Sequence, residues 1–132
     1  MTVLDVFRFT LYANKEENLD KAVEFLLRHW ETRTPLGPCH YGIGKLFMKI
    51  EYPMFRYNIF YYVYVLSFYD KAKKDPRFRE SFEVLRGKAI ENEIKVENPN
   101  KKLESYNMCR KMRISELATK RYIEILKNID AL

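Results

Sequence analysis

The sequence is poor in the residues that interrupt regular structure. Its 132 residues include only four glycines and five prolines. Because glycine and proline are the strongest markers of turns, their scarcity favours long helices joined by few loops over a fold of many short strands. The composition, 47% hydrophobic and 32% charged, is that of a globular chain. We therefore predict an all-α fold and a single helical domain spanning residues 1–132.

Cysteines and long apolar runs are also scarce. The two cysteines, Cys39 and Cys109, are too few for the disulfide framework of a small secreted domain, so a cytoplasmic location is predicted. The N-terminal stretch carries Asp5 and Arg8 within its apolar part, which is not typical of a signal peptide. No apolar run reaches the roughly 18 to 20 residues that cross a bilayer. We expect no membrane partner.

The net charge of +6 does not by itself indicate a nucleic-acid partner. The 24 basic residues are interspersed with 18 acids, a pattern typical of a solvated surface. A basic connector runs from Lys101 to Arg113 with Tyr106 interleaved, and we interpret it as a solvated loop. Nucleic acid is not a predicted partner.

The chain is organised around its most apolar stretch. Between Ile59 and Tyr69 only Ser67 interrupts a run of Ile, Phe, Tyr, Val and Leu. Such a run predicts a central helix buried on most sides, starting after Pro53 and ending near Lys74. Five of the ten tyrosines lie between residues 57 and 69.

Four further helices are predicted from apolar spacing and capping residues. The first spans Thr2 to Ala13 and has a capping box of Thr2 and Asp5. The others begin after Asn18, after Asp75 and after Ser115. The helix that begins after Asp75 has Pro76 at its first position and ends at Gly87.

Two segments lie between these helices. Residues 31–52 predict a long ordered loop, whose Leu46, Phe47, Met48 and Ile50 fold back onto the core. Residues 89–100 predict a short extended hairpin arm.

A weak internal repeat suggests two layers of helices. Residues 19–26 align with residues 78–85, and the pair Tyr62 and Leu66 recurs as Tyr122 and Leu126. Repeated helical hairpins stack with one helix of each pair inside and the other outside. The helices that start at Thr2, Pro53 and Ser115 are then the inner ones.

The order of these features resembles a known family. PMFRYNIFYYVYVLSFYDKAKKDPRFRESFEVLRGK, followed by EIKVE and RISELATKRYIEILKNI, is similar to the prenyltransferase and squalene oxidase repeat family, over roughly residues 19–129. The resemblance implies a terpenoid cyclase-like α/α toroid. Five helices make less than half of a six-hairpin ring, so the expected fold is an incomplete toroid: an open segment, a truncated relative, or a subunit that closes by self-association.

The resemblance does not carry catalytic residues over to this chain. Cyclases of the family use an Asp-x-Asp-Asp cluster and a Gln-rich Trp motif, and the chain has no such cluster and no glutamine. We therefore predict no catalytic residue and no cofactor.

Candidate ligand-binding residues lie in the loop and in the central helix. Protein prenyltransferases of the wider superfamily hold zinc with Asp, Cys and His, which makes Cys39 and His40 candidate zinc ligands. A metal site would also need a further ligand such as Cys109. The favoured interpretation is that the Cys39 and His40 side chains pack and form hydrogen bonds within the protein. Aromatic walls bind apolar chains, so a pocket for an apolar small molecule is an alternative to plain core packing. The candidate pocket residues are Trp30, Cys39, His40, Tyr41, Tyr57, Tyr61 and Tyr64.

Two hypotheses about function follow. The first is a helical scaffold or interaction module that self-associates through the uncovered side of its central helix. The alternative is a small-molecule or isoprenoid-binding protein, or a diverged enzyme, with a Tyr-lined cavity near Cys39 and His40. Arg56 and Arg33 are expected to pair with Glu51, Glu31 or helix-end carbonyls.

Overall fold

Helices dominate the computed structural model, which describes residues 1–10, 17–35 and 42–131. The prediction of an all-α fold is confirmed, since extended structure in these ranges is limited to isolated bridges. One hydrophobic core joins residues from Leu4 to Leu126. The helices are α1 (Thr2–Phe7), α2 (Glu17–Thr32), α3 (Ile59–Leu66), α4 (Asp70–Lys73), α5 (Pro76–Arg86) and α6 (Glu116–Asn128), with a 3₁₀ turn at Asn107–Cys109.

Helix α3 is the centre of the packing. It contacts α1, α5 and α6, while α2 packs against α1, α4 and α5. Seven of its eight residues are buried, and Tyr61, the eighth, donates a hydrogen bond from its hydroxyl to Asp5 at 3.0 Å. The expectation that one side of the central helix is uncovered is therefore wrong, because neighbouring helices cover it.

Tyrosine hydroxyls tie the central segment to three other helices. Tyr62 donates to the backbone carbonyl of Leu26 in α2 at 2.9 Å, and Tyr64 donates to Glu124 in α6 at 2.7 Å. Tyr69 donates to the carbonyl of Leu4 in α1. Each buried hydroxyl thus has a partner, as burial of a phenol requires.

The predicted bounds of the central helix are wrong at both ends. It begins at Ile59 because the extended Asn58 caps it, accepting hydrogen bonds from the amides of Phe60 at 2.9 Å and Tyr61 at 3.2 Å. It ends at Leu66, where the next residue, Ser67, bonds back to the carbonyl of Tyr64. A serine that bonds back to the preceding turn competes with the helical ladder.

The capping predictions at Asp75 and Ser115 are confirmed. Asp75 accepts from the amide of Arg77, with Pro76 at the first helical position, and Ser115 accepts from the amide of Ala118. The capping box of Thr2 and Asp5 is wrong. Thr2 already lies inside α1, and Asp5 instead pairs with Arg8 at 2.7 Å.

Two other helix limits also differ from the prediction. Asn18 is not a cap, because α2 begins one residue earlier, at Glu17. Helix α1 ends at Phe7, whereas the predicted end at Ala13 lies outside the described residues.

The extended arm pairs differently from the prediction. Its hairpin is limited to a tight turn in which Ile90 bridges Glu93, with Glu91 and Asn92 at φ 52° and 64°, as a type I′ turn requires. Beyond the turn, Val96 bridges Lys111 rather than a second strand of the arm. This pairing buries Val96 completely.

The loop before α3 folds back as predicted, except at one residue. Phe47 and Ile50 are buried and Met48 packs against the core, whereas Leu46 is 71% exposed. The amide of Ile59 donates to the carbonyl of Phe47 at 2.7 Å, which fixes the loop to the start of α3. Among the described helices, none has the length and apolar character that a bilayer crossing requires.

Candidate functional site

A cavity of about 650 Å³ opens between the loop before α3 and Asn98, near the end of the extended arm. We call it the Arg56 cavity. Its volume lies within the range of about 300 to 1,000 Å³ that is usual for small-molecule sites. Its described lining residues are Gly42, Gly44, Lys45, Leu46, Phe47, Glu51, Arg56, Tyr57 and Asn98.

The floor of the cavity is aromatic. The rings of Phe47 and Tyr57 lie 4.9 Å apart at an angle of 59°, and both contact the buried ring of Tyr62. His29, at the end of α2, stacks on Tyr57 with its Nδ1 3.0 Å from the phenol oxygen. Packed rings of this kind form a rigid apolar surface.

The polar part of the cavity is an arginine held by a buried carboxylate. The side chain of Glu51 is 3% exposed, and Arg56 donates from Nε to its two oxygens at 3.0 and 2.8 Å. The predicted pairing of these residues is confirmed. The Arg56 side chain is 61% exposed, and its terminal nitrogens make no hydrogen bond to any residue in the described ranges.

A second segment of the chain completes the wall. The amide of Ile50 donates to the carboxylate of Glu97 at 3.0 Å, and the amide of Asn98 donates to the carbonyl of Ile50 at 3.0 Å. Lys88 pairs with the same Glu97 at 2.9 Å. These contacts fix Asn98, an amide side chain, beside the loop that carries Arg56.

The cavity favours an anionic ligand. Lys45 and Arg56 supply two positive charges against the single carboxylate of Glu51, so the charge of the described lining is positive. A guanidinium with free terminal nitrogens binds a carboxylate, sulfonate or phosphate through paired hydrogen bonds.

Gly42, which lines the cavity, lies close to Arg33 at the end of α2. The amide of Ile43 donates to the carbonyl of Arg33 at 2.9 Å. Gly42 lies so close that a Cβ there would be 2.9 Å from the same carbonyl oxygen, so only glycine fits without a shift. Cys39, His40 and Tyr41, three of the predicted pocket residues, lie outside the described residues.

The structure separates the other predicted pocket residues. Tyr57 lines the cavity, and Trp30 lies behind its floor, with its ring 6.3 Å from that of Phe47. Tyr61 and Tyr64 point to α1 and α6 instead. Burial raises the pKa of each of these two phenols to about 12, which keeps them neutral donors.

Arg33 and Cys109 do not contribute to the cavity. Arg33 pairs with Glu80 at 3.9 Å rather than with Glu31, and its guanidinium lies 4.5 Å over the ring of Trp30. Cys109 is buried in the 3₁₀ turn with a free thiol. The described part of the chain contains no cluster of three or more potential metal ligands.

The sequence did not predict that five of the lining residues share a site: Lys45, Phe47, Glu51, Arg56 and Asn98. The sequence signal for one pair was present, because Glu51 and Arg56 are opposite charges flanking Pro53. Asn98 has no such signal, since tertiary contacts alone bring it to the loop.

Comparison with protein-family models, with curated proteins and with solved structures yields no match for this chain. The resemblance to the prenyltransferase and squalene oxidase repeat family thus stays a prediction. The geometry of the Arg56 cavity is the basis for a functional proposal.

Proposed function

We propose that this chain is a binding protein for a small amphipathic anion, which it takes up in the Arg56 cavity. The observation that carries the proposal is the exposed guanidinium of Arg56, held by the buried carboxylate of Glu51 beside an aromatic floor. Because Glu51 fixes the Nε side of the guanidinium, a ligand meets terminal N–H groups that are already oriented. Preorganised donors lose less entropy on binding.

The ligand class follows from the chemistry of the lining. The acidic head accepts hydrogen bonds from Arg56 and interacts with Lys45, while an aromatic or isoprenoid body packs on Phe47, Tyr57 and Leu46. A charged head adds specificity, and burial of the apolar body supplies the larger part of the free energy.

A pair of fluorescent probes separates these two contributions. 8-Anilinonaphthalene-1-sulfonate and N-phenyl-1-naphthylamine share the same ring system, but only the first carries a sulfonate. We expect the sulfonate probe to bind the wild-type chain about tenfold more tightly, the effect of one charge-assisted contact worth about 1.4 kcal/mol.

The test variant removes the guanidinium of Arg56 together with the carboxylate of Glu51, so that no unpaired charge is left buried. The double change E51Q/R56Q should weaken binding of the sulfonate probe about tenfold and leave the neutral probe within about twofold. The matched control is E83Q/R86Q, which makes the same two changes at an exposed pair in α5. If the control weakens sulfonate binding as much, or the neutral probe binds as tightly as the sulfonate to wild type, the proposal is wrong.

Leu46 gives an independent check that does not disturb the core. Its side chain is 71% exposed and lines the cavity, so L46D places a carboxylate at the mouth at little cost in stability. We expect it to weaken the sulfonate probe more than the neutral one. The same change at exposed Ile90 is the control.

We further propose that the helices form part of an α/α toroid, as the family resemblance implies. Support comes from the packing of α3 beside both α1 and α6, and of α2 beside α5. The repeat-related residues Tyr62 and Tyr122 are both buried. A cytoplasmic location is also part of this proposal and is in keeping with the free thiol of Cys109.

Self-association is a second candidate function, favoured by one observation. Helix α1 belongs to the inner set of helices, yet Val3, Val6 and Phe7 are exposed on it, and Phe9 beyond its end is 77% exposed. Apolar side chains clustered in this way are typical of contact surfaces. We propose that a second copy of the chain covers them.

Sedimentation equilibrium tests this second candidate. Val6 is 62% exposed, so V6E should shift a dimer to monomer without loss of helix content. The control I90E changes an exposed residue outside α1 and should leave the dimer intact. If the wild-type chain is a monomer at about 100 μM, this candidate is contradicted, because a dimer of such low affinity would have little function.

A further inference from the structure

A groove of about 530 Å³ lies between the 3₁₀ turn and the first turn of α6. Its apolar lining consists of Met108, Ile114 and Leu117, and its basic lining consists of Arg110 and Arg113. Ile114 and Leu117 are exposed although they are large and aliphatic. We call this feature the Arg113 groove; none of its described lining residues belongs to the Arg56 cavity.

The backbone holds the two arginines in a fixed turn. The amide of Arg113 donates to the carbonyl of Arg110 at 3.2 Å, and Met112 between them has a φ of 57°. The turn is attached to the arm, because the amide of Met112 donates to the carbonyl of Val96 at 2.7 Å. Fully buried Cys109 anchors the turn on its other side.

The surface around the groove carries uncompensated positive charge. Residues 101–113 contain five basic side chains and one acid, Glu104. Within the described ranges, none of these five side chains takes part in an ion pair, in contrast to Arg56, Arg77 and Lys88 elsewhere in the chain. A partner must therefore be anionic to match this surface.

The shape and lining of the groove decide among anionic partners. Single-stranded nucleic acid is bound through aromatic rings on which its bases stack, and no described residue that lines the groove is aromatic. A bilayer presents a broad surface that cannot enter a groove. A peptide in which acidic residues alternate with aliphatic ones matches both parts of the lining. Its carboxylates match the two arginines, each of which can bind a carboxylate through two hydrogen bonds, and its aliphatic side chains match the aliphatic floor.

We propose that the Arg113 groove is a docking site for an acidic, aliphatic peptide segment of a partner protein. The carboxylates of the peptide lie at Arg110 and Arg113, and its aliphatic side chains lie on Ile114 and Leu117. Glu116, the first residue of α6, lines the same groove. Because it repels carboxylates, the acidic residues of the peptide lie at the end of the groove away from α6.

Fluorescence anisotropy with labelled peptides of about ten residues tests the docking site. The test peptide alternates leucine and glutamate, and the comparison peptide alternates serine and glutamate with the same charge. We expect the leucine peptide to bind at least tenfold more tightly. Equal binding of the two peptides would overturn the proposal, because charge alone would then explain it.

Charge-matched variants distinguish the groove from general attraction. R113Q should weaken binding of the leucine peptide about tenfold, whereas K102Q, which removes the same charge outside the groove, should weaken it less than twofold. E116Q should strengthen binding, because it removes the repulsion. Equal losses for R113Q and K102Q would overturn the proposal.

The same assay covers the other anionic partners. A labelled uridine oligonucleotide of about ten nucleotides and vesicles with phosphatidylserine are each titrated with wild type and R113Q. Tighter binding of either than of the leucine peptide, lost in R113Q, would assign the groove to that partner and overturn the proposal. Circular dichroism should show an unchanged fold for R113Q, whose side chain is exposed.

Discussion

Removal of the Asn58 side chain is expected to be among the most damaging single changes to a polar residue in this fold. Asn58 is 2% exposed and stands directly before the central helix. Its Oδ1 accepts from the amides of Phe60 and Tyr61, and its Nδ2 donates to the carbonyl of Arg56 at 2.7 Å. Asn58→Ala removes all three hydrogen bonds at once.

The size of the effect follows from these contacts. Loss of a helix N-cap costs about 0.5 to 2 kcal/mol, and a buried group left without its partner costs about 1 to 3 kcal/mol. We expect Asn58→Ala to lower the free energy of unfolding by about 2 to 4 kcal/mol. Asn58→Asp keeps the acceptor but places its second oxygen against the carbonyl of Arg56 in place of the donor, so it should also be less stable than wild type.

Urea denaturation monitored by circular dichroism measures this change, and Asn100 provides the control. Asn100 makes the same kind of bond, accepting from the amide of Lys102 at 3.0 Å, at an exposed site. Asn100→Ala should cost less than about 0.5 kcal/mol.

Equal costs for the two alanine variants would refute the reasoning. They would mean that the cap at Asn58 does not define the start of the central helix.

Three further predictions concern tyrosine hydroxyls in the core and the half-buried carboxyl of Asp75. Burial raises the pKa of Tyr64 and Tyr69 to about 12. Between pH 10 and 12 the unfolded chain loses these protons first, so the free energy of unfolding should fall as the pH rises through that range. The fall should be smaller in the variant in which both tyrosines are replaced by phenylalanine. Tyr62→Phe should cost about 1 kcal/mol in thermal denaturation by removing one buried hydrogen bond, and no change would show that this bond contributes nothing. Hydrogen bonds from Arg77 lower the pKa of Asp75. The ionised carboxyl therefore stabilises the fold above its ordinary pKa, and this stabilisation is lost as the pH falls below that value. Arg77→Met should make the free energy of unfolding depend less on pH in the acid range.

Local signals in the sequence predicted the parts of the fold that local chemistry controls. Asp75 and Ser115 cap helices because each has a side-chain oxygen that accepts from the first helical amides and each precedes an apolar pattern, and both caps are confirmed. Asn58 was overlooked because Pro53 is also a common helix-start residue, and sequence alone does not rank the two. The result is a central helix shorter than its apolar run suggests.

Partners distant in sequence could not be predicted. Tyr61 and Tyr64 were candidate pocket residues because aromatic side chains suit both a cavity and a core, and the choice between them depends on which helices pack nearby. Tertiary packing supplies Asp5 and Glu124 as their acceptors. The Arg56 cavity depends in the same way on Asn98, whose position is set by contacts with Ile50.

Nitrogen-15 NMR of the wild-type chain with the naphthalene sulfonate probe tests the central claim most directly. We predict that the Nε–H signal of Arg56 and the backbone amides of residues 42–57 shift together, with Asn98, at a single affinity. The amides of Val3 and Val6 on the exposed face of α1 should not shift. Shifts confined to α1, with the Arg56 signal unchanged, would contradict a ligand site in the Arg56 cavity.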